Sequence, residues 1–183
     1  GTNSSFGLEY SHLYSPRKLR QSVFGVKIVN GNPVYVPDLQ LDGNDREVLS
    51  EVHSPIIGWA YDGNPIYGPY GYSSLTGGSA KLMKSGYSPV SSSNRPNIYP
   101  NGFFVEDYVY TNSGDLDEYN GRFCKTPDFP EGTYAYFITL NSAGQPSFPY
   151  IIGPRFYSLP DSWNLSQFAV QSNIPTGVVR YRT

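Results

Sequence analysis

Residues 53–72 read HSPIIGWAYDGNPIYGPYGY, and how this stretch folds decides the architecture. Ile56, Ile57, Trp59 and Tyr61 lead into Asp62-Gly63, and Ile66, Tyr67 and Tyr70 leave it. β-Branched and aromatic side chains suit a pleated, half-buried surface. Asp-Gly suits a type I′ turn, because glycine takes positive φ without steric cost. The stretch is expected to form a short aromatic β-hairpin whose glycines let a ring or another backbone approach closely.

A second hairpin precedes it. Phe24, Val26 and Ile28 run into Asn30-Gly31, and Val34, Tyr35 and Val36 follow. Asn-Gly between apolar runs is the strongest short-range hairpin signal. Pro33 carries no N–H, so its strand begins there or lies at a sheet edge. Asn30-Gly31-Asn32-Pro33-Val34-Tyr35 is echoed by Asp62-Gly63-Asn64-Pro65-Ile66-Tyr67, and more loosely by Ala143-Gly144-Gln145-Pro146-Ser147-Phe148. The uneven spacing rules out a solenoid and points to one turn chemistry reused. Residues 103–110, 122–123, 133–140 and 148–152 read as further strands. In 133–140, Tyr134, Tyr136 and Ile138 share one face, and Ala135, Phe137 and Thr139 the other. One short helix is expected at 45–49, capped by Asn44, and residues 73–101 read as loop with Lys81-Leu82-Met83-Lys84 as its one structured island.

The composition agrees. Nineteen glycines, sixteen prolines and seventeen tyrosines in 183 residues suit short strands and tight turns, and suit helices poorly. The fold class is therefore mainly β: a single-domain antiparallel sandwich or irregular barrel with long loops and little helix. We divide the chain into an arm or linker at 1–22, a β domain at 23–157 and a tail at 158–183 packed on the domain. Arg17, Lys18 and Arg20 in the arm read as a solvated basic cluster. A net charge of −2 with 15% charged residues disfavours a nucleic-acid partner. No apolar run approaches the roughly 20 residues that span a bilayer, so no membrane partner is expected. The single Cys124 makes an intrachain disulfide impossible. Gly1-Thr2-Asn3-Ser4-Ser5 shows neither Met nor a signal-peptide pattern, which suits a piece of a longer polypeptide or a processed start.

Candidate chemistry is thin. Asp115, Asp117, Glu118 and Asn120 form the densest oxygen cluster, and calcium takes six to eight oxygen ligands. The EF-hand pattern fails there: glycine falls one position late, and Thr126 stands where the bidentate acid belongs. A capped turn with exposed acids is the plainer reading. His12 and His53 are the only histidines and lie 41 positions apart, so a zinc site would need carboxylates such as Asp62. A structural hydrogen bond between His53 and Asp62 is the expected arrangement. Cys124 beside Lys125 could carry a lowered thiol pKa, although burial as a small apolar side chain fits better. Trp59 and Trp163 are candidates for stacking on a sugar, with a core role favoured for Trp59. Tyr67 and Tyr70 join them as candidate ligand or interface residues.

Four blocks carry a resemblance. His53-Ser-Pro-Ile-Ile-Gly-Trp-Ala-Tyr-Asp62-Gly-Asn-Pro-Ile-Tyr-Gly, Leu116-Asp117-Glu118-Tyr-Asn120-Gly121-Arg122, Thr133-Tyr134-Ala135-Tyr136-Phe137 and Phe148-Pro149-Tyr150-Ile151-Ile152-Gly153 resemble, in this order, the YHYH-domain family. The flanks, SPRKLRQSVFGV, FYSLP and the Arg-rich end, are similar to the version found in large structural proteins of tailed phages of marine cyanobacteria. The family takes its name from a Tyr-His-Tyr-His segment, which here corresponds to Tyr134-Ala135-Tyr136-Phe137. Ala and Phe neither ligate metal nor move protons. The resemblance implies a non-enzymatic structural module of a virion (tail, baseplate or fibre) that packs on neighbouring subunits or touches the host. It implies other virion subunits as partners, a larger assembly and no cofactor. The alternatives are a glycan-binding module, and a metal-dependent hydrolase with a site around His53, Asp62 and Asp117.

Overall fold

The computed structural model describes residues 15–90 and 98–160. A short helix α1 (Arg17–Ser22) is followed by β1 (Gly25–Val29), β2 (Asn32–Val36), β3 (Gln40–Leu41), β4 (Glu47–Val48), β5 (Ile56–Trp59), β6 (Pro65–Tyr67), β7 (Tyr70–Ser74), β8 (Gly77–Leu82) and β9 (Tyr87–Pro89). A 3₁₀ turn at Val105–Asp107 leads into β10 (Tyr108–Tyr110), β11 (Gly121–Cys124) and β12 (Thr133–Phe137). The protein is mainly β, as its composition requires. The strands form a central sheet in the order β11-β12-β6-β5 and four two-stranded ribbons, β1-β2, β3-β4, β7-β8 and β9-β10. No closed barrel forms among the described residues. The central sheet is not purely antiparallel, because β12 runs parallel to β6, pairing Tyr136 with Ile66 and Phe137 with Tyr67. No described helix is long and apolar enough to cross a membrane.

Several local expectations change in three dimensions. Residues 45–49 are not a helix: Asp45 takes φ +61° and Glu47–Val48 becomes β4, paired with β3. Residues 73–101 begin as the β7-β8 hairpin, not as loop, because Leu75-Thr76 turns the chain and Ser74 pairs with Gly77. In 103–110 only Tyr108–Tyr110 is strand. Residues 148–152 are turns with a cis Phe148–Pro149 bond.

Two turn geometries serve the β1-β2, β3-β4 and β5-β6 hairpins. Asn30 and Gly31 have φ +50° and +80°, the paired positive values of a type I′ turn, and they join β1 to β2. Loop 60–64 is different. Ala60 N–H donates to Asn64 O (2.9 Å), Gly63 N–H donates back to Ala60 O (2.9 Å), and only Gly63 is left-handed. Loops 42–46, 117–121 and 141–145 repeat this pattern, with Asp45, Asn120 and Gly144 in the left-handed place. In those three the first side chain, Asp42, Asp117 or Asn141, accepts from the backbone N–H groups two and four residues on. An Asx side chain that mimics a backbone turn favours this geometry. The second and third echoes in the sequence share it; the first does not.

The basic cluster is not a solvated arm. Arg20 is fully buried on α1, where Glu47 Oε1 accepts from Nη2 at 2.7 Å and Asp38 lies at 3.2 Å. Ser15 Oγ accepts from Nη1, Ser54 Oγ donates to Asp38, and the Tyr70 hydroxyl donates to Glu47. Burial alone would lower the Arg20 pKa, but the two carboxylates overcome that and raise it. The guanidinium therefore stays charged and ties α1 to β4 and to the segment before β3. Arg20→Ala leaves two carboxylates without their cation and should lower the unfolding free energy by about 3–5 kcal/mol. Arg17→Ala, in an exposed pair with Asp45, should cost no more than about 1 kcal/mol. Urea unfolding of both variants checks this, and equal losses would contradict it.

Candidate functional site

Strand β12 organises the interior because both of its faces are covered. Tyr134 and Tyr136 enter one cluster with Ala60, Ile66, Tyr119, Ile152 and Phe156. Ala135 and Phe137 enter the other with Tyr67, Met83, Leu116 and Cys124. The alternation read from TYAYF is therefore correct, but neither face meets water. Gly71 allows this: a Cβ there would come within 2.8 Å of the Phe137 ring.

On the first face each tyrosine hydroxyl meets a carboxylate. Tyr134 donates to Asp117, 2.9 Å from either oxygen, and its ring stacks on Tyr157 at 3.7 Å. Tyr136 donates to Asp62 Oδ2 at 2.7 Å and accepts from Tyr157 N–H at 2.7 Å. Asp62 also accepts from Ser158 N–H and from the Asn64 side chain. Burial would raise the Asp62 carboxyl, yet the bonds from Tyr136, Ser158 and Asn64 hold it below its ordinary value. Burial wins at Asp117, which is raised.

The second face holds His53. Its backbone pairs with Val26, and its ring lies 4.5 Å from that of Tyr72, 5.4 Å from Tyr67 and 6.2 Å from Phe137. Nδ1 lies 2.8 Å from the Ser54 carbonyl, which only accepts, so Nδ1 carries the proton and Nε2 a bare lone pair. Nε2 is buried without a partner. Burial pushes the His53 pKa down to about 4, and the nearby Arg122 charge adds to this. Arg122 is itself only 7% exposed; it donates to Tyr72 O and lies over the Phe137 ring at 5.5 Å, with Nε unpartnered. Burial raises the Cys124 thiol, so it is not the lowered thiol that the neighbouring Lys125 suggested in the sequence.

The metal candidates do not converge. Asp62 and Asp117 lie on the tyrosine face of β12 and His53 on the opposite one, so the expected His53–Asp62 bond is not made. Asp115 pairs with Lys81 at 2.6 Å and accepts from Lys84 N–H. Asn120 is the left-handed residue of its loop, and its amide donates to Phe137 O and Ile151 O. Among the described residues no group of three or more His, Cys, Asp or Glu could hold a metal ion. Asp117 opens the turn at 117–121 and Asp115 is held by Lys81, so the D-x-D spacing serves a turn and an ion pair.

Two candidate contact residues are also corrected: Tyr67 and Tyr70 are buried, because β6 is an interior strand and the Tyr70 hydroxyl reaches inward to Glu47. Trp59 is 59% exposed, against the core role expected of it, because it ends the edge strand β5, where its ring meets Phe129 in a T-shaped contact. His12 and Trp163 lie outside the described residues. The turn-forming pattern D-x-x-N-G, with its acid first, is the signal that could have shown Asp117 to be structural.

A family model described as YHYH protein matches residues 29–149, about two thirds of the chain. The chain belongs to the YHYH protein family. No curated protein and no solved structure matches it. In this YHYH protein Tyr134 and Tyr136 are the two tyrosines of β12 that bond Asp117 and Asp62. Ala135 and Phe137 lie on the face shared with His53.

The unfolded chain takes up a proton at an ordinary histidine pKa of 6.5, and the folded chain only near 4. The contribution of a neutral His53 is complete above pH 6.5 and is lost as pH falls through 4. It amounts to about 3 kcal/mol. The difference in unfolding free energy between wild type and His53→Gln should shift by that amount over this window. A pH-independent difference would contradict the burial. Separately, Tyr136→Phe removes one donor and one acceptor and should cost about 1–3 kcal/mol by the same measurement.

Proposed function

We propose that this YHYH protein is a non-enzymatic structural module of a tailed-phage virion, in the tail, baseplate or fibre. It acts through its surface, by packing on neighbouring subunits or by touching the host. The observation that carries this reading is the filling of both faces of β12. The face with His53 is packed by Phe137 and Tyr67, and on the other the carboxylates of Asp62 and Asp117 are engaged by tyrosine hydroxyls. The groups a hydrolase would use are built into the scaffold. The surface, in contrast, carries exposed Phe24, Tyr35, Trp59, Phe103 and Phe123, large apolar side chains open to a neighbour. The similarity of the flanks to phage structural proteins supplies the virion context.

A glycan-binding role is the second reading, and the exposure of Trp59 favours it: Trp59→Ala should then abolish a glycan-array signal. For the main reading, mass spectrometry of purified particles should find peptides of this chain. Trp59→Asp and Phe123→Asp should change stability by no more than about 0.5 kcal/mol yet prevent incorporation. A chain absent from purified particles defeats the reading.

A further inference from the structure

A cleft of about 110 Å³ opens between the β1-β2 ribbon and the core, lined by Phe24, Val26, Tyr35, Pro55, Pro127 and Asp128. Its walls follow from strand register. Phe24 and Val26 are two positions apart and share a face, and Tyr35 is directly opposite Val26. Phe24 is 60% exposed and Tyr35 66%, so their rings stand up at the rim. The ribbon is held to the core where Val26 pairs with His53, which sets the width of the cleft.

Asp128 closes the opposite side. It sits in the turn in which Thr126 Oγ1 accepts from Phe129 N–H. The buried Tyr67 hydroxyl reaches Thr126 Oγ1 at 2.8 Å and Asp128 Oδ2 at 3.0 Å. A carboxylate only accepts, so the single phenolic proton goes to Asp128 and Thr126 donates to Tyr67. This relay fixes one oxygen of Asp128 from within the core. Among the described residues no cation stands within ion-pair distance of Asp128.

We propose that this cleft binds an alkylammonium group, with the carboxylate of Asp128 facing the cation and the rings of Phe24 and Tyr35 flanking it. Aromatic faces attract cations through the ring quadrupole, and an anchored carboxylate adds a full opposite charge. A cleft of this size takes an ammonium head and its first methylenes and leaves no room for a whole pyranose ring. The inference rests on the contact reading above and names what a neighbour would present there: a lysine side chain, or a quaternary ammonium headgroup with the same chemistry.

The test is titration of the ¹⁵N-labelled protein with N-acetyl-lysine amide, with tetramethylammonium and with methyl glucoside, followed by amide and ring resonances. Either cation should give saturable shifts confined to residues 24–26, 35, 54–55 and 127–128, and the tighter of the two names the source. Asp128→Asn should weaken binding about tenfold and Tyr35→Ala about threefold. Both positions are exposed, and unchanged melting temperatures would show that the fold is kept. No shifts with either cation, shifts indifferent to both substitutions, or binding of the glucoside alone would overturn the proposal. Particle incorporation of Asp128→Asn separates the two readings. A chain that enters particles but binds no amine loses only this inference, whereas a wild-type chain absent from particles loses the contact reading itself.

Discussion

The hydroxyls of Tyr134 and Tyr136 donate to Asp117 and Asp62, and the rest of the interior depends on those two bonds. Each carboxylate belongs to a tight turn, one before β11 and one between β5 and β6. β12 lies between β11 and β6, so its tyrosines hold the loops on both sides of it. The same loops present backbone N–H groups to the carboxylates, so each acid satisfies a turn and a side chain together. A buried hydroxyl without an acceptor costs about as much as several ordinary hydrogen bonds contribute, which leaves little freedom for another register.

With the tyrosines committed to one side, Ala135 and Phe137 must point to the other, by the period of two in a strand. There they complete an apolar cluster that His53 and Arg122 enter as buried polar groups. The neutral state of His53 and its tautomer are consequences of that packing and of one backbone carbonyl. A second polar assembly, centred on Arg20, lies apart from β12 and carries buried charge, joining α1 to β4 and to the segment before β3. The two assemblies do different work: one orders the sheet, the other attaches the N-terminal helix.

What was legible in the sequence was mostly local. Asn30-Gly31 formed the I′ turn its residues require, and Pro33 stands on an edge strand of a two-stranded ribbon. The alternation in TYAYF separated the right residues, and the likeness of Gly63 to Gly144 was a likeness of turn geometry. Asp45 and Asn120 take the same left-handed place without being glycine, so two further copies of that turn escaped notice. Arg20 read as solvated because three cations in four positions resemble a surface cluster; the acids that bury it come from 18 and 27 positions away. Tyr67 read as a contact residue because tyrosine suits both settings, and the fact that β6 is an interior strand is a matter of topology.

The amino-acid order by itself determined the class of the fold. Frequent glycine, proline and β-favouring aromatics leave short strands and tight turns as the stable local choices, and they leave a long amphipathic helix out. Only the tertiary structure decided which acids serve turns, which tyrosines meet them, why His53 is neutral and which aromatic rings face water. Turn preference acts over a few bonded neighbours and can be read along the chain. Burial and pairing arise between residues far apart in sequence, and their energies exist only once the strands have been placed side by side.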